Sequence, residues 1–215
     1  MSCCSDGAVH LDTRFSQLLG KPLIMVTGMT PTTVKAGFVS AVLSTGYHIE
    51  LAGGGHYNAS ALRKKMVEIQ AKIPEGVGIT LNSFYINPKQ FGFQFLLWQE
   101  LRHEGLPIED FCVTAGIPST EKGAKIIAGL CTAGIKHVSF RPGSVDGIRQ
   151  VVNITAANPD FPIILQWTGS RAGGYHSYED FTCQFLGPTA LFVSMITSAL
   201  LEGLALVGWT TFGHT

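Results

Sequence analysis

Residues able to exchange protons or carry a fixed charge are concentrated in one stretch, IILQWTGSRAGGYHSYEDF, which runs from Ile163 to Phe181. Its glycine-rich turn carries Arg171, Tyr175 and His176. They stand among glycines that let backbone amides approach a planar ligand without a Cβ clash: Gly169, Gly173 and Gly174. A cation and two proton-exchanging groups around such a ligand suit charge stabilisation and general acid catalysis. The stretch predicts a ligand site, although turn formation alone also explains such a glycine cluster.

The run IILQW that leads into this loop is the last of several short apolar runs, each typical of a parallel strand buried on both faces. The runs are PLIMVTG (22–28), YHIELAG (47–53), GVGITLNSFY (76–85), DFCVTAG (110–116), HVSFRPG (137–143) and FPIILQWTG (161–169). Amphipathic segments between them predict helices near 32–45, 59–72, 88–104, 119–133 and 143–157. The alternation indicates repeated βα units around a parallel sheet.

A polar, mostly glycine-containing turn follows every predicted strand, as in a (β/α)₈ barrel, whose active site lies at the carboxyl ends of its strands. A doubly wound sheet would instead carry one GxGxxG motif after its first strand, and the first turn here reads TGMTPTTV. We therefore expect an α/β fold of the (β/α)₈ TIM-barrel type. About six βα units can be counted, so we expect the barrel to be incomplete and to leave unpaired sheet edges.

The composition excludes several classes of function. Fifteen basic and fifteen acidic residues give a net charge of zero, so no strong field draws the chain to nucleic acid or to an anionic membrane. The five cysteines are odd in number and show no CxxC spacing, which predicts a reducing compartment and no metal site. No apolar segment of a secretory signal precedes residue 20, so we expect a cytoplasmic protein.

Several long motifs carry a resemblance to a known family: LDTRFSQLLGKPLIMVTGMTPTTV, ELAGGGHYN, GITLNSFYINP, AGIPSTEKGAKII, GIKHVSFRPGSVDGIRQVVNITAANPDFPI and QWTGSRAGGYHSYEDF. Residues 9–181 resemble the enoyl reductase domain of the fungal fatty acid synthase β subunit. The resemblance implies an FMN-bearing barrel, related to nitronate monooxygenases, that uses NADPH to reduce an enoyl chain held on an acyl carrier protein. It also implies the other fatty acid synthase domains as partners.

The resemblance also implies the roles of individual residues. Backbone contacts around the flavin ring would come from Thr27, Gly28, Met29, Thr30, Gly53, Gly54 and Gly55, with Gly169, Gly173 and Gly174 in the later loop. Asn82 and Gln166 would hydrogen-bond the polar edge of the ring. Arg141 stands where the family usually has lysine, and would place a cation near N1 and O2.

The implied proton donors are Tyr175 and His176. Tyr175 replaces the first of two histidines that the family commonly has after the glycines. A phenol with a pKa near 10 is a weak acid for neutral pH, and loss of an acid typically slows a reaction by about 10²- to 10⁴-fold. We therefore expect slower proton transfer than in relatives that keep both histidines.

The residues after Phe181 depart from the family pattern. We expect residues 1–10 to be a disordered N-terminus, 11–181 to form the partial FMN-dependent enoyl reductase barrel, and 182–215 to be a non-homologous tail. Read out of frame from the third base of the Cys183 codon, suitable synonymous codons encode PIL, RQH and GFGG in the order expected of the family. We interpret the tail as an out-of-frame translation that leaves the isolated chain with little or no activity.

Two other interpretations remain open. A working flavin oxidoreductase of the nitronate monooxygenase type would need a full barrel. A non-catalytic relic tethered to a membrane would need the apolar tail to be genuine: Leu191 to Trp209 are nineteen mostly apolar residues in which Glu202 is the one charge. That length and composition would allow an apolar helix and a marginal membrane span.

Overall fold

The fold is built on parallel strands that follow one another in chain order. The structure is a computed structural model that describes residues 13–168 in full, together with the backbone of 2–3, 9–10 and 205–209. The six strands inside the fully described range are β3 (Met25–Val26), β4 (His48–Ala52), β5 (Ile79–Phe84), β6 (Ile108–Thr114), β7 (His137–Phe140) and β8 (Ile163–Thr168). Each pairs in parallel with the next, so all six predicted strands are confirmed.

Five helices occupy the predicted intervals between the strands: α2 (Ala36–Ser44), α3 (Ala59–Gln70), α4 (Pro88–His103), α5 (Thr120–Thr132) and α6 (Val145–Ala156). A further short helix, α1 (Arg14–Leu19), precedes β3 and was not predicted. Short 3₁₀ turns, Thr32–Val34 and Gly53–Gly55, follow β3 and β4. Side-chain oxygens cap the first turns of five helices, and the residues that provide them are Thr13, Asn58, Asn87, Ser119 and Ser144. Each cap accepts an amide proton three residues ahead that would otherwise lack a partner.

The sheet is strongly curved. Nε2 of Gln166 on β8 donates to Oε1 of Glu50 on β4 over 2.6 Å, although three strands lie between β4 and β8. In a flat sheet, four strand spacings would separate these strands by roughly 19 Å. Their side chains can meet only because the sheet curls into an arc of the barrel type. The structure is therefore an α/β fold with a half-barrel sheet, as the incomplete TIM-barrel prediction requires.

Apolar residues divide between two cores. The larger core lies between the outer face of the sheet and the helices, and it contains side chains such as Ile49, Leu81 and Trp98. The smaller core joins Phe15 and Leu19 of α1 to Met25 and Ile164, which lie near the amino ends of β3 and β8. Helix α1 thus covers the inner face at the amino end of the strands and leaves the carboxyl end to the polar loops.

One edge of the described sheet is formed by residues of the tail, for which the sequence allowed an apolar helix. The backbone of β9 (Ala205–Trp209) pairs in parallel with β8, while β3 is the edge strand on the other side of the described sheet. These five residues form a strand, whereas the sequence allowed an apolar helix across them. The rest of 182–215 and the loop 169–181 lie outside the described residues. No helix in the described part of the chain is long and apolar enough to cross a membrane.

Near the start of the chain, the structure describes one short antiparallel pair. Strand β1 (Ser2–Cys3) pairs with β2 (Val9–His10). The other residues of 1–12 lie outside the described part, and the disorder predicted for residues 1–10 stays a prediction.

Two helical glycines provide a test of the packing between helices. A Cβ on Gly123 of α5 would lie 2.9 Å from Ile154, which is fully buried, whereas a Cβ on Gly92 of α4 would meet nothing within 4 Å. We expect Gly123→Ala to lower the free energy of unfolding by about 1–3 kcal/mol through overpacking. Gly92→Ala should raise it by about 0.5–1 kcal/mol because alanine is the better helix former. Urea unfolding of both variants checks this, and equal effects would contradict the packing of α5 on α6.

Candidate active site

Glu50 is the centre of the polar side chains on the inner face of the sheet. Its side chain is fully buried in the middle of β4. Oε2 accepts hydrogen bonds from Gly28 N at 2.8 Å, Asn82 Nδ2 at 2.7 Å and Arg141 Nη2 at 2.6 Å. Oε1 accepts from Gln166 Nε2 at 2.6 Å. Four segments that are distant in the sequence therefore converge on one carboxylate.

The environment of Glu50 keeps it ionised. Burial alone would raise the pKa of its carboxyl, but Arg141 and the hydrogen bonds from Gly28, Gln166 and Asn82 together hold that pKa below its usual value. Burial alone would lower the pKa of the Arg141 guanidinium, but the Glu50 charge, Cys112 and the hydrogen bond to Glu50 together raise it above its usual value. The two residues form a buried ion pair whose charges cancel.

Arg141 follows β7 and is held along one edge of its guanidinium. Nε and Nη2 donate to Oε1 of Gln166 at 3.1 and 3.0 Å, and Nη2 also reaches Glu50. Its Nη1 makes no hydrogen bond to any residue in the described part, and the side chain is 13% exposed. Nη1 is thus the donor of Arg141 that a ligand could use.

Asn82 and Gln166 also keep part of their hydrogen-bonding capacity. Nδ2 of Asn82 donates to Glu50 and to Cys112 Sγ, which leaves its Oδ1 as an acceptor. Nε2 of Gln166 has a second proton beyond the one given to Glu50. The site therefore offers one acceptor, Asn82 Oδ1, and two donors, Gln166 Nε2 and Arg141 Nη1. The edge of a flavin ring carries one N–H between two carbonyl oxygens, so its groups are complementary to these three. The residues present therefore fit the cofactor that the resemblance implies.

Two amide protons of the first turn are already bonded within the protein. Gly28 N donates to Glu50, and Met29 N donates to Thr33 Oγ1 at 2.8 Å. A Cβ on Gly28 would lie 2.7 Å from Cβ of Asn82, so glycine is needed here to admit the asparagine side chain. Thr27 is buried beside this turn and Thr30 is exposed. A ligand can meet this turn through carbonyl groups and side chains rather than through these two amides.

The triple-glycine turn after β4 is fixed by two glutamines of α4. Nε2 of Gln90 and Nε2 of Gln94 both donate to the carbonyl oxygens of Gly53 and His56. The sequence analysis did not single out either glutamine. The glycines of this turn are needed for close packing, since a Cβ on Gly54 would meet the Phe84 ring at 2.6 Å.

A second polar layer lies nearer the amino ends of the strands. Oδ2 of Asp110 accepts from Ser139 Oγ at 2.8 Å, and Oδ1 accepts from Phe111 N at 2.7 Å. Burial raises the pKa of Asp110 well above its usual value, so this carboxyl holds a proton that the unfolded chain would release. Burial lowers the pKa of His48 to about 4 and that of His137 to about 3.

The two histidines of this layer are neutral and incompletely bonded. Nδ1 of His48 and both ring nitrogens of His137 have no hydrogen-bond partner among the described residues. Ordered water ordinarily satisfies buried atoms of this kind. Across residues 13–168, no group of three or more His, Cys, Asp or Glu is arranged to hold a metal ion.

The structure brings together the predicted contacts Gly28, Asn82, Arg141 and Gln166, and it adds Glu50, which the sequence analysis missed. A signal for Glu50 was present, because a lone carboxylate interrupts the apolar run of a strand buried at every position. The remaining site predictions concern residues outside the described part: Gly169, Gly173, Gly174, Tyr175 and His176. Their roles stay predictions.

Comparisons with known proteins identify the family to which most of this chain is similar. Residues 162–190 match the family described as "Fatty acid synthase subunit beta/Fas1-like, helical". The chain is 58% identical over 175 residues to Fatty acid synthase 2 of Mycosarcoma maydis, a match that covers 81% of the chain and 5% of that protein. It is 51% identical over 173 residues to the fatty acid synthase beta subunit aflB of Emericella nidulans, covering 80% of the chain and 8% of that protein.

A third relative is the fatty acid synthase subunit beta of Saccharomyces cerevisiae, 43% identical over 174 residues, with 81% of the chain and 8% of that protein covered. The chain is homologous to a segment of the fungal fatty acid synthase β subunits. It spans between 5% and 9% of the length of the curated relatives that it matches. The polar inner face described above is therefore a feature of a fatty acid synthase β segment.

Asp110 should make this β-subunit segment less stable as the pH rises. The folded state keeps a proton on Asp110 that the unfolded chain releases near pH 4, so the free energy of unfolding falls between that pH and the raised folded pKa. Asp110→Asn imitates the protonated acid and can keep the bonds to Ser139 and Phe111. We expect it to stay within about 1 kcal/mol of the wild type at acidic pH and to lack this decline. Urea unfolding at several pH values decides, and an undiminished decline in the variant would contradict a protonated Asp110.

His48 should act in the opposite direction. Its pKa is about 4 in the folded protein against 6.5 in the unfolded chain, so unfolding takes up a proton below pH 6.5. Its contribution to stability is complete above pH 6.5 and is lost between 6.5 and about 4, by roughly 3 kcal/mol. His48→Gln should remove this loss, as measured by urea unfolding across that range. The same acid sensitivity in the variant would show that another group causes it.

Proposed function

We propose that this chain carries part of the site of an FMN- and NADPH-dependent enoyl reductase of fatty acid synthesis. The observation that carries the proposal is the convergence of Asn82, Arg141 and Gln166 around Glu50 at the carboxyl-terminal side of a curved parallel sheet. Ligands of (β/α)₈ barrels bind at that side. The likeness to fatty acid synthase β subunits over about four-fifths of the chain supports the same conclusion.

The proposed roles follow from the hydrogen-bonding capacity left unused in the folded chain. Asn82 Oδ1 accepts from a ring N–H, while Gln166 Nε2 and Arg141 Nη1 donate to ring oxygen and nitrogen atoms. FMN, when bound, supplies hydride transfer from NADPH to the double bond of the enoyl substrate. The protein provides orientation and fixed dipoles, with little reorganisation because Glu50 already holds the donors.

The substrate and partners are part of the same proposal. An enoyl group carried on an acyl carrier protein would enter from the carboxyl-terminal side of the sheet, where the loops after the strands lie. His176 and Tyr175 are the proposed proton donors to the carbon next to the thioester carbonyl. The other domains of a fatty acid synthase would supply the substrate and take the saturated product.

A chimaeric synthase tests the proposal. Residues 9–181 would replace the matching segment of the Saccharomyces cerevisiae β subunit, and NADPH oxidation would be followed with an enoyl thioester. We expect measurable but slow reduction, and Tyr175→His in the chimaera should raise the rate by about 10²- to 10⁴-fold, because a better general acid is restored. Lys125→Ala, on an exposed face of α5, serves as the control and should change nothing. A folded chimaera that binds FMN but reduces no enoyl substrate even with histidine at 175 would refute the function.

The isolated chain should bind FMN weakly. The described sheet ends at β3, whose outer edge is unpaired among the described residues, so the described strands do not close a barrel around the inner face. Weak binding should leave the purified protein colourless, with incomplete quenching of flavin fluorescence at micromolar FMN. A yellow preparation with stoichiometric flavin and NADPH-dependent enoyl reduction would contradict this expectation.

A further inference from the structure

The bonding of Glu50 indicates a role that the homology does not assign. All four of its hydrogen-bond partners are donors, and they come from the turn after β3, from β5, from the end of β7 and from β8. Three of these donors belong to side chains that the proposed function places against the ligand. We infer that Glu50 is the positioning residue of the site, which holds Arg141 by its Nη2 edge and thereby presents Nη1 to the ligand.

The arrangement around Arg141 depends on the negative charge of Glu50. A guanidinium that is 13% exposed has little water to solvate it, and among residues 13–168 the one anion in contact with it is Glu50 at 2.6 Å. Gln166 contributes a neutral carbonyl oxygen to Nε and Nη2. That carbonyl is itself oriented by Glu50, because Gln166 Nε2 donates to Glu50 Oε1. Removing the carboxylate therefore releases both groups that fix the guanidinium.

Glutamine cannot replace glutamate at this position. A carboxylate offers only acceptors, and here both oxygens face donors. Glu50→Gln would turn an NH₂ group toward either the Gln166 donor or the three donors on the other oxygen. The substitution keeps the shape of the side chain, but it places donors against each other and leaves Arg141 as an uncompensated charge.

The two polar layers of the sheet give a useful contrast. Asp110 is equally buried but holds a proton, and its partners are a hydroxyl and one amide. Glu109, near the amino end of the sheet, forms ion pairs with Lys21 and Lys136 and contacts none of the proposed ligand groups. Glu109→Gln thus removes a partly buried ion pair without touching the site, and it is the matched control for Glu50→Gln.

The primary test observes Arg141 directly in the full 215-residue chain. The Nε–H resonance of Arg141 in a ¹⁵N-labelled sample is identified by its loss in Arg141→Gln. We expect solvent exchange of this proton to be slow in the wild type and at least about tenfold faster in Glu50→Gln, since its hydrogen bond to Gln166 is released. In Glu109→Gln the exchange should match the wild type. An unchanged Nε–H exchange rate in folded Glu50→Gln would overturn the inference.

A charge-neutral double variant covers the case in which Glu50→Gln does not fold. Glu50→Gln/Arg141→Gln removes both charges, so it leaves no ion unpaired, and we expect it to unfold at higher urea than Glu50→Gln alone. That rescue supports a role exerted through Arg141. A double variant that is as unstable as, or less stable than, Glu50→Gln would show that Glu50 is needed only for the fold and would overturn the inference.

A flavin-binding experiment depends on the proposed function, and its result is interpreted separately from the Arg141 measurements. Riboflavin and FMN are titrated against the wild type, Glu50→Gln and Glu109→Gln by flavin fluorescence quenching. Riboflavin has no phosphate, so it reports on the ring contacts alone. We expect Glu50→Gln to weaken riboflavin binding by about tenfold or more and Glu109→Gln to leave it unchanged.

The outcomes of this arm separate the two proposals. If the wild type binds neither flavin at any concentration tested, the flavin site fails for this chain, while the Nε–H exchange and the double variant still decide the positioning role. If riboflavin binds the wild type and folded Glu50→Gln equally, the proposed function stands and Glu50 has no positioning role.

Discussion

The fold and the candidate site depend on one buried carboxylate. Taking an ionised glutamate out of water costs several kcal/mol unless charge and hydrogen bonds replace the lost hydration. Glu50 meets that requirement with Arg141 and three further donors, each delivered by a different segment of the chain. Gln166 on β8 and Arg141 after β7 reach Glu50 on β4 only because the sheet curls, so the interaction requires the curvature.

This constraint explains why the inner face differs from the rest of the protein. Outward-facing residues such as Ile49 and Phe111 pack under the helices in an apolar core. Many inward-facing residues of the sheet are polar, among them Glu50, Thr80, Asn82, Asp110 and Ser139. Interiors of (β/α)₈ barrels are dominated by bulky branched side chains. A polar interior gives up part of that packing, and its groups are held in fixed orientations by hydrogen bonds to one another.

The two buried carboxyls show how position decides chemistry on this face. Glu50 lies beside a guanidinium that helps to hold its pKa below the usual value. Asp110 lies two strands away in register, and burial raises its pKa well above the usual value. Separation of an ionised and a protonated carboxyl is the arrangement by which proteins assign different roles to similar groups. In this segment of a fatty acid synthase β subunit, Glu50 is the carboxyl that lies toward the carboxyl-terminal side of the sheet, where the proposed ligand binds. The protonated one lies deeper, toward the end that α1 covers.

The sequence by itself determined the order of the six central strands and of the five helices between them. Apolar runs marked all six strands because both faces of β4 to β8 are buried, and amphipathic segments marked the helices between them. The resemblance pointed to Asn82, Arg141 and Gln166, yet it said nothing of what holds them.

Only the tertiary structure decided that these side chains meet on Glu50, that the amides of Gly28 and Met29 are already bonded, and that Gln90 and Gln94 fix the triple-glycine turn. The physical reason is that these contacts join residues 22 to 116 positions apart, with Met29 bonding to Thr33 as the one local case. Their geometry depends on sheet curvature, which no local pattern of residues encodes.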